Sequence, residues 1–178
     1  MTTSTTPAET DVATSATSPL ESLPRALRDE PGLTLALGDP TARLAVGEVA
    51  RPISIAALSA LSSRRPLVVA CPTGTMATQL VDDLRQFLPP GDVAHFPGWE
   101  TLPFERVSPS VETMGQRLDV LWRLRHPERT PAVIVAGVRA LLQKLGPGTI
   151  DVEPIHVRPG DEVDPDELTA RLISLSVS

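Results

Sequence analysis

The chain has 178 residues and a formal net charge of −6, a length that suits one domain with an appendage and a charge opposed to the basic footprint that DNA or RNA binding needs. Its one cysteine, Cys71, excludes an internal disulfide, and no apolar stretch approaches the roughly 18 residues of a membrane span. No basic region precedes an apolar core at the N-terminus, so no secretory signal is read there and the composition points to the cytoplasm.

Residues 1–19, rich in Thr, Ser and Ala and without an aromatic, bury too little apolar area to offset the entropy of ordering and read as a disordered tail. Leu20, Leu23, Ala26 and Leu27 then share one side of a short helix that Pro31-Gly32 breaks. Residues 34–37 and 42–46 are short apolar runs. The second, read as a strand, leads into Gly47-Glu48-Val49-Ala50-Arg51-Pro52-Ile53-Ser54 and a helical pattern over 55–61.

Strand, eight-residue turn and helix is the layout of the phosphate-binding loop of nucleotide hydrolases, in which Gly and four residues precede Gly-Lys-Ser/Thr. Gly47 and Ser54 keep that register, but Pro52 stands at the second glycine and Ile53 at the lysine. Proline removes a backbone N–H that would point at a phosphate oxygen, and isoleucine removes the cation that neutralises the terminal phosphates. An ordinary turn with Pro52 at the first helical position accounts for the same residues.

Leu67-Val68-Val69-Ala70-Cys71 is a continuous apolar run of the kind buried on both faces of a parallel sheet. A helix follows with Thr75 as its cap and Met76, Ala77, Leu80, Leu84, Phe87 and Leu88 at helical spacing. Residues 93–96 form a short strand. Beyond it lies a loop, defined by its prolines and glycine, that carries Phe96, Trp99 and Phe104 and must pack onto something.

Ser108-Pro109 starts the next helix, with Val111, Met114, Leu118, Leu121 and Trp122 as its apolar stripe and Glu112, Gln116, Arg117, Asp119 and Arg123 on a solvated face. Residues 132–136 are the second buried-strand run, and a short helix through Lys144, the only lysine, ends at Gly146-Pro147-Gly148. Residues 150–157 alternate as a half-exposed strand, and Asp164-Pro165-Asp166-Glu167 caps a last helix. Strands alternating with helices at this spacing predict an α/β fold, a parallel sheet with crossover helices. The divisions are a tail over 1–19, a domain over 20–148, and the truncated start of a second domain over 149–178.

Other chemistry is absent from the pattern. His95, His126 and His156 lie about thirty residues apart without paired ligands, so no metal site is expected. Cys71 reads as an inert core thiol, Asp82-Asp83 as a solvated helix face, and no catalytic triad is visible.

The run Phe96-Pro97-Gly98-Trp99-Glu100-Thr101-Leu102-Pro103-Phe104, then Ser108-Pro109, Arg117-Leu118, Val133 to Ala136 and Gly146-Pro147, resembles the N-terminal part of the bacterial transcription-repair coupling factors, the Mfd family. The resemblance covers residues 20–178 and implies a RecA-like module similar to the nucleotide-excision helicase UvrB, with residues 47–54 as a degenerate phosphate loop that has lost its nucleotide. In the family, ATP is bound by a separate motor, RNA polymerase by a further domain, and UvrA by the second domain. The implied partners are the rest of such a chain, UvrA through a surface left incomplete by the truncated second domain over 149–178, so that UvrA binding is expected to be weak or absent, and RNA polymerase and DNA only through missing domains. Two functions follow: a non-catalytic scaffold of transcription-coupled repair or, alternatively, a small nucleotide-binding enzyme in which Arg51 replaces the lysine.

Overall fold

Val133 to Gly137, five residues without a charge or a large polar group, form the middle strand of a three-stranded parallel sheet. The structure is a computed structural model and describes residues 20–99, 110–144, 153–155 and 157–176. In chain order the elements are α1 (Leu23–Ala26), α2 (Pro31–Gly38), α3 (Arg51–Leu61), β1 (Leu67–Cys71), α4 (Gly74–Leu84), β2 (Val93–Phe96), α5 (Val111–Arg125), β3 (Val133–Gly137), α6 (Val138–Leu142) and α7 (Pro165–Ser176). Single 3-10 turns lie at Leu27–Asp29, Glu48–Ala50, Pro90–Asp92 and Pro127–Arg129.

The strand order is β1-β3-β2, with Leu67 opposite Val133 on one side and Val93 opposite Val133 on the other. The chain therefore leaves β1, passes over the place of β3 to reach β2, and returns to the middle. Because such crossovers are right-handed, reversing direction puts their helices on opposite faces. The α/β fold with crossover helices expected from the sequence is the fold observed.

One face of the sheet, with Val133, Val135 and Val93, packs on α3 and α4 through Ala56, Ala77, Leu80, Val81 and Leu84. Ile134 and Ala94 point to the other face and meet Val120 of α5 and the half-buried Phe96. Full burial of a side chain such as Leu84 contributes about 2 kcal/mol. Ala56 and Ala77 have no exposed surface.

Several local expectations are corrected. Pro31-Gly32 opens α2 instead of ending a helix, because proline is compatible with the first helical turn, where its missing N–H has no partner to lose. Residues 42–46 form no strand; Ala42, Leu44 and Val46 are half-buried in an extended segment outside the ladder. β1 is an edge strand and alternates, so Val68 is 52% exposed where burial on both faces was expected. The cap of α4 is Thr73, whose hydroxyl accepts the Met76 N–H at 3.2 Å, and not Thr75.

The start of α5 is capped by Ser110, which accepts the Thr113 N–H at 3.1 Å. Its buried positions are Thr113, Arg117 and Val120, while Val111 is 88% exposed and Met114 is exposed too, so the expected apolar stripe is rotated away from the core. α6 stops at Leu142. Residues 153–155 and 157 are not strand, and Glu153 accepts the Trp122 Nε1–H at 2.7 Å and pairs with Arg125 at 2.5 Å. α7 begins at Pro165 as expected, with the Asp164 carboxylate accepting the Asp166 N–H. The tail over 1–19 and the boundary at 146–148 lie outside the described residues. No helix among the described residues is long and apolar enough to cross a membrane.

Candidate functional site

The turn over 47–54 sits beside the C-terminal end of β1. Gly47 is followed by a 3-10 turn that runs without a break into α3. The Ala50 N–H donates to the Gly47 carbonyl at 3.0 Å, and the Arg51 N–H donates to the carbonyl of Glu48. Ser54 turns its hydroxyl back onto the Ala50 carbonyl at 2.8 Å. Pro52 is buried and has no N–H, and Ile53 is half-buried beside it.

Arg51 and Pro52 border a cleft of about 330 Å³ with Val69 to Pro72 at one wall and Met76, Gln79 and Asp83 of α4 at another. Two carboxylates, Glu48 and Asp83, share this cleft with the one guanidinium of Arg51. Asp83, read from sequence as part of a solvated face, is half-buried here, while Asp82 pairs with Arg85 at the surface. Burial pushes the Cys71 thiol up from its ordinary value, with the charge of Arg51 opposing it. A thiol so held is inert at neutral pH.

The second group of sequence-marked residues gathers around Arg117. Phe96 ends β2, and the chain then runs through Pro97 and Gly98 to Trp99. The Arg117 guanidinium carbon lies 4.2 Å from the centroid of the Phe96 ring and 4.4 Å from that of Trp99, so the cation touches two aromatic faces. Nη1 donates to the Pro97 carbonyl at 2.6 Å and Nη2 to the Gln143 carbonyl at 3.3 Å. Gln143 completes the clasp: its Oε1 accepts the Trp99 N–H at 2.7 Å and its Nε2 donates to the Trp99 carbonyl at 3.5 Å.

Arg117 has no exposed surface, which overturns its reading as part of a solvated face. Among the described residues no carboxylate pairs with it, and its Nε has no partner. Burial draws its pKa below the ordinary guanidinium value, yet an arginine remains charged under such a shift. Carbonyl dipoles and aromatic quadrupoles do the work of a counter-ion here, each desolvated ring face contributing about 2 kcal/mol. The backbone passes close enough that a Cβ on Gly98 would lie 3.3 Å from Gln143 Oε1.

The structure brings Phe96 and Trp99 together on Arg117 of α5, and Gln143, just past the end of α6, holds Trp99. Glu100, Leu102, Pro103, Phe104, Ser108 and Pro109, the other marked residues of that loop, lie outside the described residues, as does His156. Sequence reasoning named Arg117 among the residues that carry the resemblance but put it on a solvated face, and it missed Gln143, because nothing in the spacing separates a buried arginine from the solvated ones around it. Among the described residues no group of three His, Cys, Asp or Glu could hold a metal ion.

No protein-family model matches the chain. The transcription-repair-coupling factor of Mycobacterium tuberculosis is 44% identical over 124 residues, covering 66% of this chain and 10% of that protein. The transcription-repair-coupling factor of Bacillus subtilis is 29% identical over 127 residues, 71% of this chain and 10% of that protein. The UvrABC system protein B of Vibrio parahaemolyticus is 27% identical over 129 residues, 65% of this chain and 19% of that protein. The resemblance carried by the Trp99 loop and the buried-strand runs is thus matched by independent alignment. The chain is a homologue of the transcription-repair-coupling factors, matching a segment that amounts to 10% of their length.

Proposed function

We propose that the chain is a non-catalytic scaffold module of a transcription-coupled nucleotide-excision repair protein, binding no nucleotide itself. Its partners on this reading are the remainder of a longer repair protein, with UvrA, RNA polymerase and DNA reached through segments other than these. The clasped Trp99 loop serves assembly.

The observation that carries this reading is the closure of the turn over 47–54 on itself. A triphosphate is held by backbone N–H groups aimed outward, a lysine and a hydroxyl on the metal ion. Here the N–H groups of Ala50 and Arg51 and the Ser54 hydroxyl are bound to carbonyls of the same turn, and Pro52 has no N–H. Two carboxylates against one arginine leave the adjoining cleft without a positive surplus for a polyphosphate.

Calorimetric titration with ATP and magnesium tests it. The expected result is no saturable heat for the wild type and none for Arg51→Ala. Binding at micromolar affinity that is lost in Arg51→Ala would overturn the reading.

A further inference from the structure

Trp122 and Arg125 stand three residues apart in the last turn of α5, so their side chains rise from one face of the helix. Both hold the same carboxylate. Glu153 Oε2 accepts the Trp122 Nε1–H at 2.7 Å, and Oε1 accepts an N–H of Arg125 Nη2 at 2.5 Å, so each oxygen has its own donor. The contact ties the part of the chain that follows α6 back to the helix that precedes β3.

The donor side of this contact is held in place by its own surroundings. The His126 ring centroid lies 4.4 Å from that of Trp122, and His126 Nδ1 lies 2.8 Å from the Trp122 carbonyl oxygen. The Arg129 guanidinium carbon lies 5.2 Å from the centroid of the Trp122 ring. Trp122 is half-buried, and the Arg125 side chain is 29% exposed against 60% for Glu153. Donors fixed before a carboxylate arrives lose little further freedom in holding it. The movable member is therefore the glutamate.

Beyond Glu153 the chain buries little. Of residues 154, 155 and 157–170, only Ile155 and Leu168 are even half-buried. Apolar burial is what ordinarily fixes a segment to a domain, and charge-assisted hydrogen bonds stand in for it here. We infer that Glu153 is the bolt of a polar latch on α5. Seated on Trp122 and Arg125, it holds the segment that leads to α7 against the α/β body; unseated, it frees that segment while the sheet and its helices stay folded.

Nuclear magnetic resonance of the whole chain, labelled with nitrogen-15, tests the proposal. Trp122→Phe keeps an aromatic ring beside His126 but removes the N–H, and the indole signal it deletes is that of Trp122. Glu153→Gln keeps the shape but puts an NH2 group where one donor needs an acceptor. In the wild type the backbone order parameters of residues 157–163 are expected to stay above about 0.6, and in either variant to fall below it, while those of residues 133–137 remain near about 0.85. The Trp122 indole proton is also expected to move upfield in Glu153→Gln as its charged acceptor is lost. Order parameters below about 0.6 at 157–163 in the wild type would overturn the proposal, as would wild-type values there in both variants.

Discussion

Arg117 carries a full charge to a place with no exposed surface, stacked between two rings and bonded to two backbone carbonyls. Lysine could reach the same place but offers neither a planar face for the rings nor a fork for two carbonyls. Arg117→Lys is therefore expected to cost about 1–3 kcal/mol, the range for leaving buried polar groups unsatisfied, and Arg117→Ala more. Urea denaturation measures the loss, and tryptophan emission of the native state shifts to the red as Trp99 is released. An Arg117→Ala variant of wild-type stability would show that the rings and carbonyls do not depend on the guanidinium.

At the scale of elements, the helix starts decide most of what the local sequence specifies. Thr73→Ala removes the hydroxyl that accepts the Met76 N–H and is expected to cost about 1 kcal/mol, whereas Thr75→Ala, inside the first turn, costs a few tenths at most. Comparing the two thermal midpoints separates the caps. The three strands and the main helices were legible from apolar runs and period. The rotation of α5 was not: Val111 and Met114 look like core but face out, because the helix is oriented by Arg117 on the aromatic clasp and by Val120 on the sheet. Nor was the exposure of β1, since an edge strand and a central one share the same composition. Pro52 and Ile53 did make the departure from a phosphate loop readable. The hydrogen bonds that close that turn depend on backbone geometry and were not readable.

For the whole molecule, pH sets stability through groups the fold has taken from water. His95 on β2 has its pKa lowered, first by burial and then by Arg85, with Asp82 opposing, and its buried Nε2 has no partner; Asp119 and Arg123 of α5 border the same cleft. The folded state therefore favours the neutral ring. Its contribution to stability is complete above the ordinary value of 6.5 and is lost as pH falls through the lower folded-state value. Urea midpoints measured from pH 8 downward are expected to drop more steeply below about 6.5 in the wild type than in His95→Gln. Parallel curves would exclude His95 as the source.

The order β1-β3-β2 means that the two outer strands have no contact with each other except through the one made last. A ribosome delivers β1 and β2 well before Val133, and both must wait as solitary apolar segments until residues 133–137 emerge to join them. Synthesis of this module therefore has a late point of commitment. Among the described residues, a nascent chain stalled before Val133 has no paired strand, and one released beyond Gly137 can assemble β1, β2 and β3 in a single event.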